Sequence, residues 1–122
     1  MGPVNWTAVG AAWLLAGLLG VAFYGRAATP RSPYAQHALA ALLLFVSAAM
    51  IGHMFARVGA ETLAAKPWLY FMMSGGLALT FIAPAILITA IRRGDPIRSA
   101  LFDASYFLTA FLSVGGVFWL LD

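Results

Sequence analysis

The residues able to do chemistry are few, and they stand in apolar surroundings. Asp103 is an acid inside a long apolar run, with Ser99, Tyr106, Ala110 and Ser113 recurring around it every three to four residues. On a helix that spacing puts Ser99, Asp103 and Tyr106 on one face. An ionised carboxylate facing lipid there costs roughly 2.5–3.5 kcal/mol or more. Asp103 must therefore face protein or water, pair with a cation, or take up a proton. Arg26, Arg31, Arg92 and His37 are the candidate partners at its end of the helix. The chemistry this permits is proton or cation binding, or a contact to a partner subunit or lipid headgroup. The alternative is a structural acid that ties helices together.

A second cluster is Met50-x-x-His53-Met54. Positions i, i+3 and i+4 share a helix face, and thioether plus imidazole suits a soft ion such as Cu(I). Met is also a common gap-filler in apolar packing, so the expectation is packing and a hydrogen bond, with no metal assigned. His37 and His53 are sixteen residues apart, roughly 24 Å along a helix, and cannot share one metal within a chain. A haem held between the His53 residues of two chains is the other ligand considered, but the sequence identifies no cofactor. Cysteine is absent, which removes disulfides, thiolate metal sites and cysteine nucleophiles. The acids Glu61, Asp95, Asp103 and Asp122 lie at different depths, so neither a catalytic triad nor a carboxylate pair can be assembled. The chain reads as non-enzymatic.

The elements that position these groups follow from composition. The 122 residues are 63% hydrophobic and 9% charged, against about 25% charged in soluble domains. A soluble fold of this size cannot hide so much apolar surface, so the solvent is lipid. Four prolines, Pro3, Pro33, Pro67 and Pro96, stand where apolar runs begin. Proline suits a first helical turn because its missing N–H has no partner there anyway; Ser32 and Asp95 are candidate N-caps beside two of them. The spans predicted are about 3–24, 33–56, 67–91 and 96–121, each longer than the ~20 residues that cross a bilayer. Short connections make an all-α, integral membrane, up-down-up-down four-helix bundle in one transmembrane domain, residues 1–122. Residues 1–25 have no basic n-region, so no cleavable signal peptide is expected.

The net charge of +3 is a matter of topology, and no nucleic-acid partner is implied. Arg26, Arg31, Arg92, Arg93 and Arg98 gather at one side and set orientation: that side is expected in the cytoplasm and both termini in the periplasm of a bacterial inner membrane. Trp6, Trp68, Tyr70 and Trp119 then form an outer aromatic belt, with Tyr24 and Tyr34 in an inner one. Pro84 cannot bond back to Thr80 and should kink the third span, exposing carbonyls to an ion or partner. Ala12, Ala16 and Gly20 in the first span, and Ala41, Ala48, Gly52 and Ala56 in the second, form small-residue ridges that admit a close neighbour.

Asn5-Trp6-x-Ala8-Val9, the Ala83-Pro84 step and Phe102-Asp103-Ala104-Ser105-Tyr106 together resemble a family of small bacterial four-helix membrane proteins catalogued as a domain of unknown function. The resemblance covers nearly the whole chain; it departs at Ser105, where the family usually has Gly, and after Tyr24-Gly25, where Arg26 stands. It implies a four-helix integral membrane protein and brings no established activity. The function expected is an accessory or structural subunit of a membrane complex, or a self-assembling oligomer, whose partners are the lipid bilayer and further membrane chains. The alternative is a small oligomeric ion- or proton-coupled transporter or channel using Asp103.

Overall fold

The computed structural model describes residues 3–25 and 33–122. The expectations for Arg26, Arg31 and Ser32 fall outside the described residues, as does the side chain of Tyr34. Helix α1 is Trp6–Tyr24. Its N-cap is Asn5, whose side-chain oxygen accepts the Ala8 N–H at 3.1 Å and so satisfies one of the donors every helix start leaves open. Helix α2 is Pro33–Val58, with Pro33 as its first residue. Gly59, at φ +96°, turns the chain into the short α3, Ala60–Ala65. Helix α4 runs Trp68–Arg93 and α5 Ile97–Leu121.

Two details of the helix starts differ from expectation. Pro3 lies before α1, and Pro67 and Pro96 occupy cap positions just ahead of their helices, so only Pro33 sits in a first turn at these four starts. Asp95 does not cap α5: Pro96 holds the cap position, and Asp95, one residue before it, lies with its carboxylate 2.9 Å from the Arg93 guanidinium. Between them Gly94 adopts a left-handed φ of +72° and closes α4, with the Asp95 N–H reaching back to the Ala90 carbonyl at 2.9 Å. A residue with a Cβ is strained at that φ.

The irregularity at Pro84 takes the form of a π-helical turn. Residues Ala78–Ile82 are π-helical, and the Ala83 N–H bonds to the Ala78 carbonyl five residues back. Pro84 then stands in the first turn of a renewed α segment, Ala83–Arg93, where a missing N–H costs least. The widened turn lets α4 cross as one span.

The four long helices, each long and apolar enough to cross a membrane, alternate in direction. α1 and α5 form the central pair; α2 packs on the flank of α1 and α4 on the flank of α5. One end, here the basic end, gathers the last turn of α1, the start of α2, Arg92 and Arg93 of α4, and the start of α5. The other, the terminal end, brings Asn5 beside Asp122. The core is a strip of Ala8, Val9, Ala12 and Ala16 against Tyr106, Ala110, Val114 and Phe118, extended by Ala48, Ile51 and Phe55 of α2 and Tyr70 and Ala78 of α4. Outward residues are as apolar as inward ones: Phe81 and Leu120 are 69% and 72% exposed. Their natural surroundings are hydrocarbon, and the chain is an all-α integral membrane bundle.

The small-residue ridges are spent inside this bundle. Ala12, Ala16 and Ala48 are buried in the core. A Cβ added at Gly20 meets the Tyr106 hydroxyl at 3.1 Å, and one at Gly52 meets Val9 at 2.7 Å. At the α4–α5 crossing, a Cβ on Gly115 meets the Tyr70 carbonyl at 2.6 Å and presses into Ser74. The close neighbours these ridges admit are, at these positions, the other spans of the same chain.

Candidate functional site

At the basic end, α1 and α5 meet through aromatic rings. Phe23 and Tyr24 of α1 face Phe102 and Tyr106 of α5, with centroid separations of 5.3 to 5.5 Å in tilted or edge-on arrangements. These are favourable geometries for aromatic pairs. They set the Tyr24 hydroxyl 2.5 Å from Asp103 Oδ1, to which it donates a hydrogen bond. One helical turn deeper, Tyr106 is buried and donates to the Ala16 carbonyl at 3.0 Å. The polar face expected of α5 thus points at α1 and twists out of the bundle at its start: Ser99 is exposed, Asp103 half-buried, Tyr106 buried. Ser113 joins a different stripe, in which Ser105, Thr109 and Ser113 each bond the carbonyl four residues back at 2.8 Å.

Among the described residues Asp103 is bonded by the Tyr24 phenol; of the cations the sequence offered as partners, Arg26 and Arg31 lie outside those residues. Arg92, Arg93 and Arg98 are exposed at the helix ends, and the positions of Arg92 and Arg93 in the last turn of α4 complement its dipole. His37 approaches the site from α2. It lines a cleft of about 380 Å³ with Gln36, Gly17, Gly20, Tyr24 and Tyr106. The structure therefore sets Tyr24 and Tyr106 on the same cleft as His37, with Asp103 joined to Tyr24 but not part of the cleft wall; Ser99 and Pro84 stay outside this group, Pro84 on the flanking helix α4. The residue missed was Tyr24. Its signal was its depth, level with the first turns of α5, but an aromatic near a helix end was assigned to the interface belt.

The terminal end has its own polar knot. Asp122 accepts from Asn5 Nδ2 at 2.8 Å and from the Tyr70 hydroxyl at 2.9 Å, and the same Asn5 amide reaches the Leu121 carbonyl at 3.2 Å. Tyr70 is buried, packed on Phe55 at 4.9 Å, and so is not part of the aromatic belt. Trp6, Trp68 and Trp119 do stand at least half exposed at this end. Beside them His53 is exposed, edge-on to Trp6 at 5.7 Å, with Nδ1 2.8 Å from the Ala49 carbonyl. Met50, Met54 and Met73 line an apolar pocket with it. Met72, beside Met73 in the chain, is not part of that wall and is 53% exposed.

Chemically the carboxylate–phenol pair at the basic end can share a proton or clamp α1 to α5. Among the described residues no group of three or more His, Asp or Glu converges as metal ligands, and Asp95, Asp103 and Asp122 are engaged at separate places.

Residues 2–119 match the family model described as a protein of unknown function, DUF1761. The chain belongs to that family. No curated protein and no solved structure matches it. Family membership accounts for the resemblance carried by Asn5-Trp6, Ala83-Pro84 and Asp103-x-x-Tyr106, and these residues now have positions: the cap of α1, the restart after the π turn, and the face of α5 turned to α1. The DUF1761 match supplies a family and no reaction.

Proposed function

We propose that the protein is a non-enzymatic component of the bacterial cytoplasmic membrane, acting as an accessory or structural subunit of a membrane complex or as a self-assembling oligomer. The observation that supports this reading is where the intramembrane polar groups go. Asp103 is spent on Tyr24, Tyr106 on the Ala16 carbonyl and Ser74 on the Tyr70 carbonyl. These are ties between or within helices of one chain. Nucleophilic catalysis needs a nucleophile and base within hydrogen-bond reach of each other, and the acids here stand apart. What the bundle turns outward is apolar helix surface, most of all on α2: Leu39, Leu42, Leu43 and Val46 are all more than half exposed. Such a flank serves lipid or another helix. Orientation follows the positive-inside rule, with the Arg92, Arg93 and Arg98 end in the cytoplasm and the Asn5–Asp122 end in the periplasm.

The test is native mass spectrometry of the protein released gently from its own membrane. A constant set of companion chains, or a fixed multiple of the chain mass, is expected. A monomer under every mild condition contradicts the proposal.

A second reading, a proton- or cation-coupled oligomeric transporter, draws on the cleft that His37, Gln36, Tyr24 and Tyr106 share. Intramembrane ionisable groups are functional candidates by default. On this reading Asp103→Asn abolishes a flux of protons or monovalent cations in liposomes. Equal flux from parent and variant removes it.

A further inference from the structure

We propose that the pocket at the terminal end binds one soft monovalent metal cation, of the Cu(I) class, through His53, Met50, Met54 and Met73. The first observation is the ring of His53. The Ala49 carbonyl oxygen 2.8 Å from Nδ1 can only accept, so Nδ1 carries the proton and donates. In the neutral ring the unprotonated nitrogen is then Nε2, the one free to coordinate. A histidine whose other N–H is fixed by a backbone carbonyl is the usual state of a metal ligand. Trp6, packed edge-on at 5.7 Å, holds the ring in place.

The second observation is independent of the first. Three of the chain's five methionines line the same pocket, of about 550 Å³, as His53. Two come from α2 at the i−3 and i+1 positions around His53, and the third, Met73, comes from α4. Bringing a thioether across from another span is what separates a pocket from a run of sequence. Met side chains have three rotatable bonds and can close on an ion much smaller than the space they enclose.

The donor set selects the ion. Thioether and imidazole are soft or borderline ligands that suit Cu(I). No carboxylate lines the pocket among the described residues. Zn²⁺ is held by thiolate, imidazole and carboxylate ligands, of which this wall offers only one imidazole, so Zn²⁺ is disfavoured. Coordination forms no covalent bond and transfers no electron; the ion enters and leaves as Cu(I).

The experiment uses the full chain in detergent, anaerobic and reduced, with Cu(I) supplied from a coloured competing chelator. One equivalent per chain is expected to bind, and Zn²⁺ at the same concentration is expected not to displace it. His53→Gln and Met73→Leu should each weaken Cu(I) binding roughly tenfold or more, whereas Met72→Leu, next to Met73 but outside the pocket wall, should leave it unchanged. Met-to-Leu exchange conserves volume, so fold is not at stake in that pair. X-ray absorption of the loaded protein should show sulfur and nitrogen neighbours. No stoichiometric binding, equal affinity in Met73→Leu and Met72→Leu, displacement by Zn²⁺, or an absorption shell without sulfur each overturns the proposal.

Discussion

The two ends of this bundle are tied by the same side-chain types in different solvents. At the terminal end Asp122 collects Asn5 and Tyr70 and joins the start of α1, the start of α4 and the end of α5. At the basic end Asp103 collects Tyr24 and joins the end of α1 to α5. Asp122 follows the last helical residue, at the rim, where water can replace a lost partner. Asp103 sits about 10 Å inside its helix, with aromatic rings around its phenol partner. A hydrogen bond returns only about 0.5–1.5 kcal/mol net when water competes for its partners, but an unsatisfied buried or charged group costs roughly 1–3 kcal/mol or more. The same acid–phenol pair is therefore a convenience at one end and a requirement at the other.

Substitutions test that contrast, and the largest effect lies at neither knot. Gly115→Leu forces a side chain into the Tyr70 carbonyl and Ser74. It should cost about 3 kcal/mol or abolish folding, read as loss of the unfolding transition in mixed micelles. Gly76→Leu, with open space around it, should change stability little. Next comes Tyr24→Phe, which strands Asp103: a loss of about 1.5–3 kcal/mol is expected, and a value under 0.5 kcal/mol would mean that water reaches the acid. Tyr70→Phe at the terminal end should cost less, about 0.5–1.5 kcal/mol, because Asp122 keeps Asn5 and solvent; reversal of this order refutes the contrast. Smallest of all, Arg93→Ala removes an ion pair whose side chains are 68% and 44% exposed. Its cost should be below about 1 kcal/mol and fade as salt is added.

Much of this was readable before any coordinates. A lipid solvent leaves hydropathy, length and charge asymmetry as the main signals, and these mark the four spans to within a few residues. Trp6, Trp68 and Trp119 stand at the end where the aromatic belt placed them. What escaped was direction. Tyr24 and Tyr70 occur at belt depth but turn inward, since a hydroxyl with a carboxylate in reach outweighs an interfacial position. A sequence offers Asp103 cations because charge seeks charge; the fold adds a phenol one helix away, which periodicity does not reveal. The ridges of Ala12, Ala16, Gly20 and Gly52 were correctly seen as close-packing surfaces, yet periodicity does not say which helix approaches them. At Pro84 the missing N–H was evident, whereas its accommodation by a π turn depends on how α4 packs on α5. The site residues His37 and Tyr106 do share a cleft, while Ser99, one turn before Asp103, has already left the protein interior.

The central claim is that Asp103 is a clamp between α1 and α5, committed to Tyr24, so that the spans' polar groups hold the bundle together. A double-mutant cycle of Asp103→Asn and Tyr24→Phe, by reversible unfolding in mixed micelles, tests it directly. The account predicts that the two effects are strongly non-additive, with a coupling of about 1–3 kcal/mol. Additive effects within about 0.3–0.5 kcal/mol would show that the two groups act independently, and Asp103 would then be free for ion or partner binding.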